Sequence, residues 1–103
     1  MANFTGKRYL TQGIHREIPF ALQIRLWGMI DAQIQENKNM DYLQIFELKA
    51  VHENGARMQE IIHKQEIPKR KQRITIQSKN PISAKIFVID SVEYITMLFN
   101  HEY

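Results

Sequence analysis

The side chains able to do chemistry are few, and most are spaced against it. The run EIIHKQE sets Glu60, His63 and Glu66 three residues apart. On a helix that interval keeps ligands along one side. On a strand, alternation sends Glu60 and His63 to opposite faces. The surrounding residues read as strand, so one metal ion is not served. His15, His52 and His101 show no ligand spacing either, and no cofactor is expected. His63 alone could exchange a proton near neutral pH. It is expected on an apolar strand face opposite Phe46, with Gln44 and Gln65 completing a small polar pocket. No serine, threonine or acid is placed to form a triad. The plainer reading is a buried imidazole satisfied by a glutamine or a backbone carbonyl. Glycine-rich phosphate loops and nucleophile-elbow motifs are missing from the sequence, so an enzyme is not expected.

Binding chemistry has two further candidates. The stretch QEIPKRKQR carries Lys69, Arg70, Lys71 and Arg73, and Lys79 follows, with no acid between residues 69 and 79. Such a cluster can neutralise phosphates, with an affinity that falls with salt. Single-strand binders also need aromatic platforms for bases. None lies within that stretch, and Tyr9, Tyr42 and Tyr94 could approach only through the fold. The competing reading is a solvated connection whose charges keep a sheet edge from pairing with another chain. The second candidate is a modest apolar patch of Leu43, Ile45 and Ile62, expected exposed on the charged face of a sheet and suited to a protein partner. Asp31 falls on an apolar helix stripe and needs a cation, which Arg8 or Arg57 could supply. Asp90 reads as a turn residue.

The elements that must hold these residues can be read in outline. The chain has 103 residues, 44% hydrophobic and 24% charged, a net charge of +3 and no cysteine. One globular domain over residues 1–103 is the natural division, with 1–6 frayed. No apolar run reaches signal-peptide or membrane-span length. A cytoplasmic protein without membrane contact is expected. KRYLTQGI reads as a short strand. Pro19 opens a helix that stops at Asn37 to Asn39. Its apolar stripe of Phe20, Ile24, Trp27, Ile30 and Ile34 is widened by Leu22, Leu26 and Met29. So wide a stripe calls for deep packing or a second covering surface, a homodimer partner being one option. Asn54-Gly55 between two extended runs signals a hairpin. Its register sets Glu53 opposite Ala56, Lys49 opposite Glu60, Leu48 opposite Ile61, Phe46 opposite His63 and Tyr42 opposite Ile67. Tyr42, Phe46, Leu48, Ala50, Ile61 and Ile67 form the expected core side. QRITIQ is a further strand, and AKIFVID with YITMLF forms a second hairpin. The expected fold is α+β, an antiparallel, meander-rich sheet of about five to six strands with one long helix across a face.

The stretches RYLTQGI, EIP…LQ…LW…ID, DYLQIFEL, IIHKQEIP and AKIFVID…TMLF…EY resemble the family named domain of unknown function 960. The likeness spans roughly residues 8–103, nearly the whole chain. It implies a small cytoplasmic protein of Firmicutes, accessory to a mobile element or phage. It brings no activity, cofactor or catalytic residue to carry over. The expected role is non-enzymatic binding of an unidentified protein partner or self-association. Nucleic-acid contact through Lys69, Arg70, Lys71, Arg73 and Lys79 is the alternative.

Overall fold

The chain runs β1 (Lys7–Leu10), α1 (Gln12–Glu17), α2 (Phe20–Gln35), β2 (Leu43–Glu53), β3 (Ala56–Gln65), β4 (Arg70–Gln77), β5 (Ala84–Asp90) and β6 (Tyr94–Phe99), then a 3₁₀ turn at Asn100–Glu102. These elements come from a computed structural model that describes residues 2–36 and 39–103. Asn37 and Lys38, part of the expected helix stop, lie outside the described residues. The strands form one sheet in the order β1-β6-β5-β2-β3-β4.

Asn54-Gly55 acts as its sequence requires. Both residues have positive φ, 54° and 76°, the combination a two-residue type I′ turn needs. The expected β2–β3 pairs then follow: Glu53 with Ala56, Lys49 with Glu60, Leu48 with Ile61 and Phe46 with His63. Tyr42 and Ile67 were expected to continue that ladder and the core. They lie beyond both strand ends and are exposed, as is Ala50 on the strand itself. β5 pairs with the other side of β2, Phe46 opposite Ile86, and β6 continues outward from β5.

The sheet is mixed rather than purely antiparallel. β1 lies parallel to β6, with Arg8 opposite Ile95 and Leu10 opposite Met97. The first strand therefore joins the last, a pairing that leaves no turn signal in the sequence. A short helix, α1, also replaces the end of the expected first strand. Thr11 caps it, accepting a hydrogen bond from the Ile14 N–H at 3.2 Å. The Thr11 hydroxyl also donates to Glu102 at 2.8 Å. A backbone hydrogen bond from Phe99, with the one from Thr11, lowers the Glu102 carboxyl below its usual range.

α2 covers one sheet face. Leu22, Leu26, Met29 and Ile30 pack with Phe46, Leu48, Ile61, Ile86, Val88, Ile95 and Met97. The helix buries most of the expected wide stripe, Trp27 and Ile34 in part, but not its Phe20 and Ile24. Phe20 is 73% and Ile24 53% exposed, on the side away from the core. Within so wide a stripe, the sequence does not say which edge faces the sheet. Pro19 sits at the N-cap, one position before the helix proper. Asp31 meets Arg8, whose guanidinium also lies 4.9 Å from the Trp27 ring centre. Arg57 instead donates to the Lys79 carbonyl at 3.2 Å.

Phe4 lies within the stretch expected to fray. It is buried, and its N–H donates to Asp90 at 3.0 Å. Asp90 also accepts from the Val92 N–H at 2.9 Å, as a turn carboxylate does.

Candidate functional site

His63, Gln44 and Gln65 do come together, joined by Gln33 from α2. Backbone partners fix the orientation of the Gln65 and Gln44 amides. Gln65 Nε2 donates to the carbonyls of Asn39 and Pro68, at 3.0 and 2.8 Å. Carbonyls only accept, so the amide cannot be turned over. Gln65 Oε1 accepts from the Asp41 N–H, from Gln33 Nε2 and from Gln44 Nε2 at 3.1, 2.9 and 2.8 Å. Gln44 Nε2 also donates to the Asp41 carbonyl at 2.8 Å. Its oxygen is thereby turned to His63 Nε2, 2.7 Å away. His63 Nε2 must therefore carry a proton and donate it. Its ring stacks on Phe46 at 4.3 Å. Burial, with the charge of Arg70 as a second cause, lowers the His63 pKa to about 4.

This cluster clamps chain segments together. It ties the segment before β2 to the β3–β4 turn and to α2. The space between Gln33, Gln44, His63, Gln65, Arg70 and Gln72 is too small for a water molecule. A general base needs its target within hydrogen-bond reach, and there is no room beside this imidazole for one.

The basic stretch is mostly strand rather than turn. β4 begins at Arg70, two residues before the expected QRITIQ. Arg70 pairs with Glu36 at 2.8 Å. Arg73 bridges Glu60 and Glu53 at 2.6 and 2.8 Å, and these bonds raise its pKa further. Each guanidinium would have to leave a carboxylate to take a phosphate. Lys69, Lys71 and Lys79 are exposed. Tyr9 and Tyr94 meet edge-to-face at 6.1 Å, but on the β1–β6 side, at the opposite end of the sheet from β4. Strand spacing puts about 24 Å between the two edges. Those two rings are thus not brought to the cations, whereas exposed Tyr42 lies by Ile67, two residues before Lys69.

The expected apolar patch is also altered. Ile45 is 7% exposed, because Lys64 and Phe87 flank it across the sheet. Leu43 and Ile62 are half-buried. Lys64 pairs with Glu47 at 3.1 Å on the same face. Tyr103 stands edge-on to Phe87 at 5.7 Å.

A groove that sequence reasoning missed runs between α2 and β4. One stretch of about 540 Å³ is lined by Ala21, Ile24, Arg25, Gly28, Met29 and Ala32 from the helix and by Gln72 and Ile74 from the strand. A second, of about 240 Å³, continues it past Pro19 to Ile76 and Gln77, sharing Ala21 and Arg25. The small helix residues hold the floor open. A Cβ added at Gly28 would meet nothing within 4 Å. Gly28→Ala is therefore expected to raise the unfolding free energy by up to about 1 kcal/mol, the usual helix-interior cost of glycine. Urea unfolding checks this, and a lower midpoint would contradict it. Ile24 is exposed on the groove wall, and Phe20, one turn before it on the helix, is exposed as well.

A family model described as a staphylococcal protein of unknown function, DUF960, matches residues 7–102. The chain belongs to this family. No curated protein matches it. Among solved structures it is similar to a crystal structure of a protein of unknown function from Enterococcus faecalis. The two are 22% identical, with 95% of this chain and 91% of that chain covered and a TM-score of 0.70. That likeness speaks for the fold alone. In this DUF960 domain, the sequence signal for the groove was the helix stripe too wide for one buried face. Among its described residues, no helix is long and apolar enough to cross a membrane.

Proposed function

We propose that this DUF960 domain is a non-catalytic accessory protein that works by binding another protein, and that it binds along the groove between α2 and β4. The observation that supports the reading is the exposure of Phe20 and Ile24, at 73% and 53%, on a helix that already buries its opposite side. Large apolar side chains rimming a hollow are the usual mark of an interaction site. The open sheet face offers less. Its most central apolar residue, Ile45, is enclosed by its neighbours, and ion pairs occupy its β3–β4 side.

Panning a random peptide library against the protein, and titrating the enriched peptides into variants, tests this. Ile24→Glu places a charge on the groove wall and Gly28→Leu fills the groove, and neither touches the buried core. Each is expected to weaken enriched peptides by about tenfold or more, the equivalent of one lost anchor contact. Peptides that bind both variants as tightly as the parent protein would place the binding surface elsewhere.

A further inference from the structure

α2 and β4 are matched in length and direction. The helix spans 16 residues and the strand 8, about 24 and 26 Å at their usual rises. They run antiparallel side by side. Ala32 lies by Gln72, Ala21 lies by Ile76, and Glu36 reaches Arg70 at 2.8 Å. β4 is the last strand of the sheet, paired only with β3, so alternate N–H and C=O groups along it point outward, away from β3.

Resting on the reading that this groove is the binding surface, we infer that its occupant is an extended segment of a partner protein. The segment adds to the free edge of β4 as a further strand and alternates apolar with acidic side chains. Strand addition satisfies the outward backbone groups of β4 and lets alternate side chains do different work. Side chains on the α2 side fall beside Gln72, Ile74 and Ile76, against Ile24, Met29 and the open floor at Gly28. Those must be apolar. Side chains on the other side fall beside Lys71, Arg73 and Thr75. Of the five cations in residues 69–79, Arg70 and Arg73 are already paired with carboxylates, so the positive charge offered on that side is Lys71, exposed on the strand, with exposed Lys69 and Lys79 beyond its two ends. A carboxylate is complementary there. A second copy of β4 would instead bring two basic runs together, and like charges on neighbouring strands repel.

Two eight-residue peptides, one alternating valine with glutamate and one alternating valine with lysine, test the occupant, their length matched to β4. The glutamate peptide is expected to bind at least about tenfold more tightly, in a salt-sensitive way, as one favourable charge pair gives. Lys71→Glu should reverse that preference. Gly28→Leu should remove binding of both. Hydrogen exchange should show new protection at alternate amides of β4. Equal binding of the two peptides, or binding that leaves β4 unprotected, overturns strand addition. If library peptides still depend on Ile24 and Gly28 in that case, the groove reading stands and only its occupant is wrong. If no peptide depends on them, both fall. β4 protected in a dimer without peptide would make a second copy the occupant, and binding confined to oligonucleotides would make it nucleic acid.

Discussion

Gln65→Leu is expected to destabilise the protein by about 4 kcal/mol or more, a loss of the size that breaking a buried polar network produces. The side chain is 3% exposed and makes five hydrogen bonds. Leucine has nearly the same length and could fill the space. It satisfies none of the partners. The carbonyls of Asn39 and Pro68, the N–H of Asp41 and the amide of Gln33 would each lose a partner. A buried polar group left so costs about 1–3 kcal/mol. Those exposed enough to gain water offset part of the sum, which is why the expectation is not higher. Urea unfolding of the variant checks it. A loss below about 1 kcal/mol, the net value of a single hydrogen bond, would contradict the clamp role.

Acid should weaken the fold through His63, by about 3 kcal/mol in full, since one pKa unit is about 1.4 kcal/mol. The folded-state pKa is lowered to about 4, from an unfolded value of 6.5. Between those two values the unfolded chain binds the proton and the folded chain does not. Stability therefore falls as pH drops from about 6.5 and reaches its full loss only below about 4. Protonation would add a charge beside Arg70 in a site that excludes water. The Nε2–H bond to Gln44 is unaffected, so the cost comes from burial and from Arg70, in that order. His63→Phe keeps a ring on Phe46 and leaves the Gln44 oxygen without its donor. It is expected to cost about 1–2 kcal/mol at pH 7 and to flatten the stability curve between pH 6.5 and 4. Unfolding free energies at several pH values, compared between the two proteins, isolate this residue from the carboxylates. Parallel curves would refute the assignment.

How far the sequence leads depends on how local the cause is. Asn54-Gly55 dictates a turn geometry by backbone sterics, so the whole β2–β3 register follows from two residues. His63 beside Gln44 is legible for the same reason. The register sets it on the helix-covered face, and burial without a partner would be costly. Other features depend on chain segments far apart. β1 is placed by β6 across nearly the entire chain, and no local pattern encodes that pairing. Ile45 looks exposed by alternation, yet Lys64 and Phe87 on two neighbouring strands enclose it. The PKRKQR run is hydrophilic enough to read as a turn, but Arg70 to Arg73 pair residue by residue with β3. The helix is the instructive failure. Its pattern told of one wide apolar stripe, and only the sheet decides that Leu22, Leu26 and Ile30 turn inward while Phe20 and Ile24 turn out.

The same division explains why the polar cluster and the groove suit different tasks. The cluster is closed, uses its donors and acceptors internally and joins three parts of the chain. The groove is open, carries exposed Ile24 on its wall and lies along an edge strand. Evolutionary freedom to vary a partner sits more easily on the second than on the first, because changing Gln65 costs the fold itself.

Mapping backbone amide chemical shifts of the isotopically labelled protein during titration with its tightest library-selected peptide tests the central claim most directly. Changes are expected at Ala21, Ile24, Gly28 and Ala32 and along β4 from Arg70 to Gln77. Changes concentrated on Leu43, Ile62 and Phe87 of the open sheet face, with the groove unaltered, would contradict it.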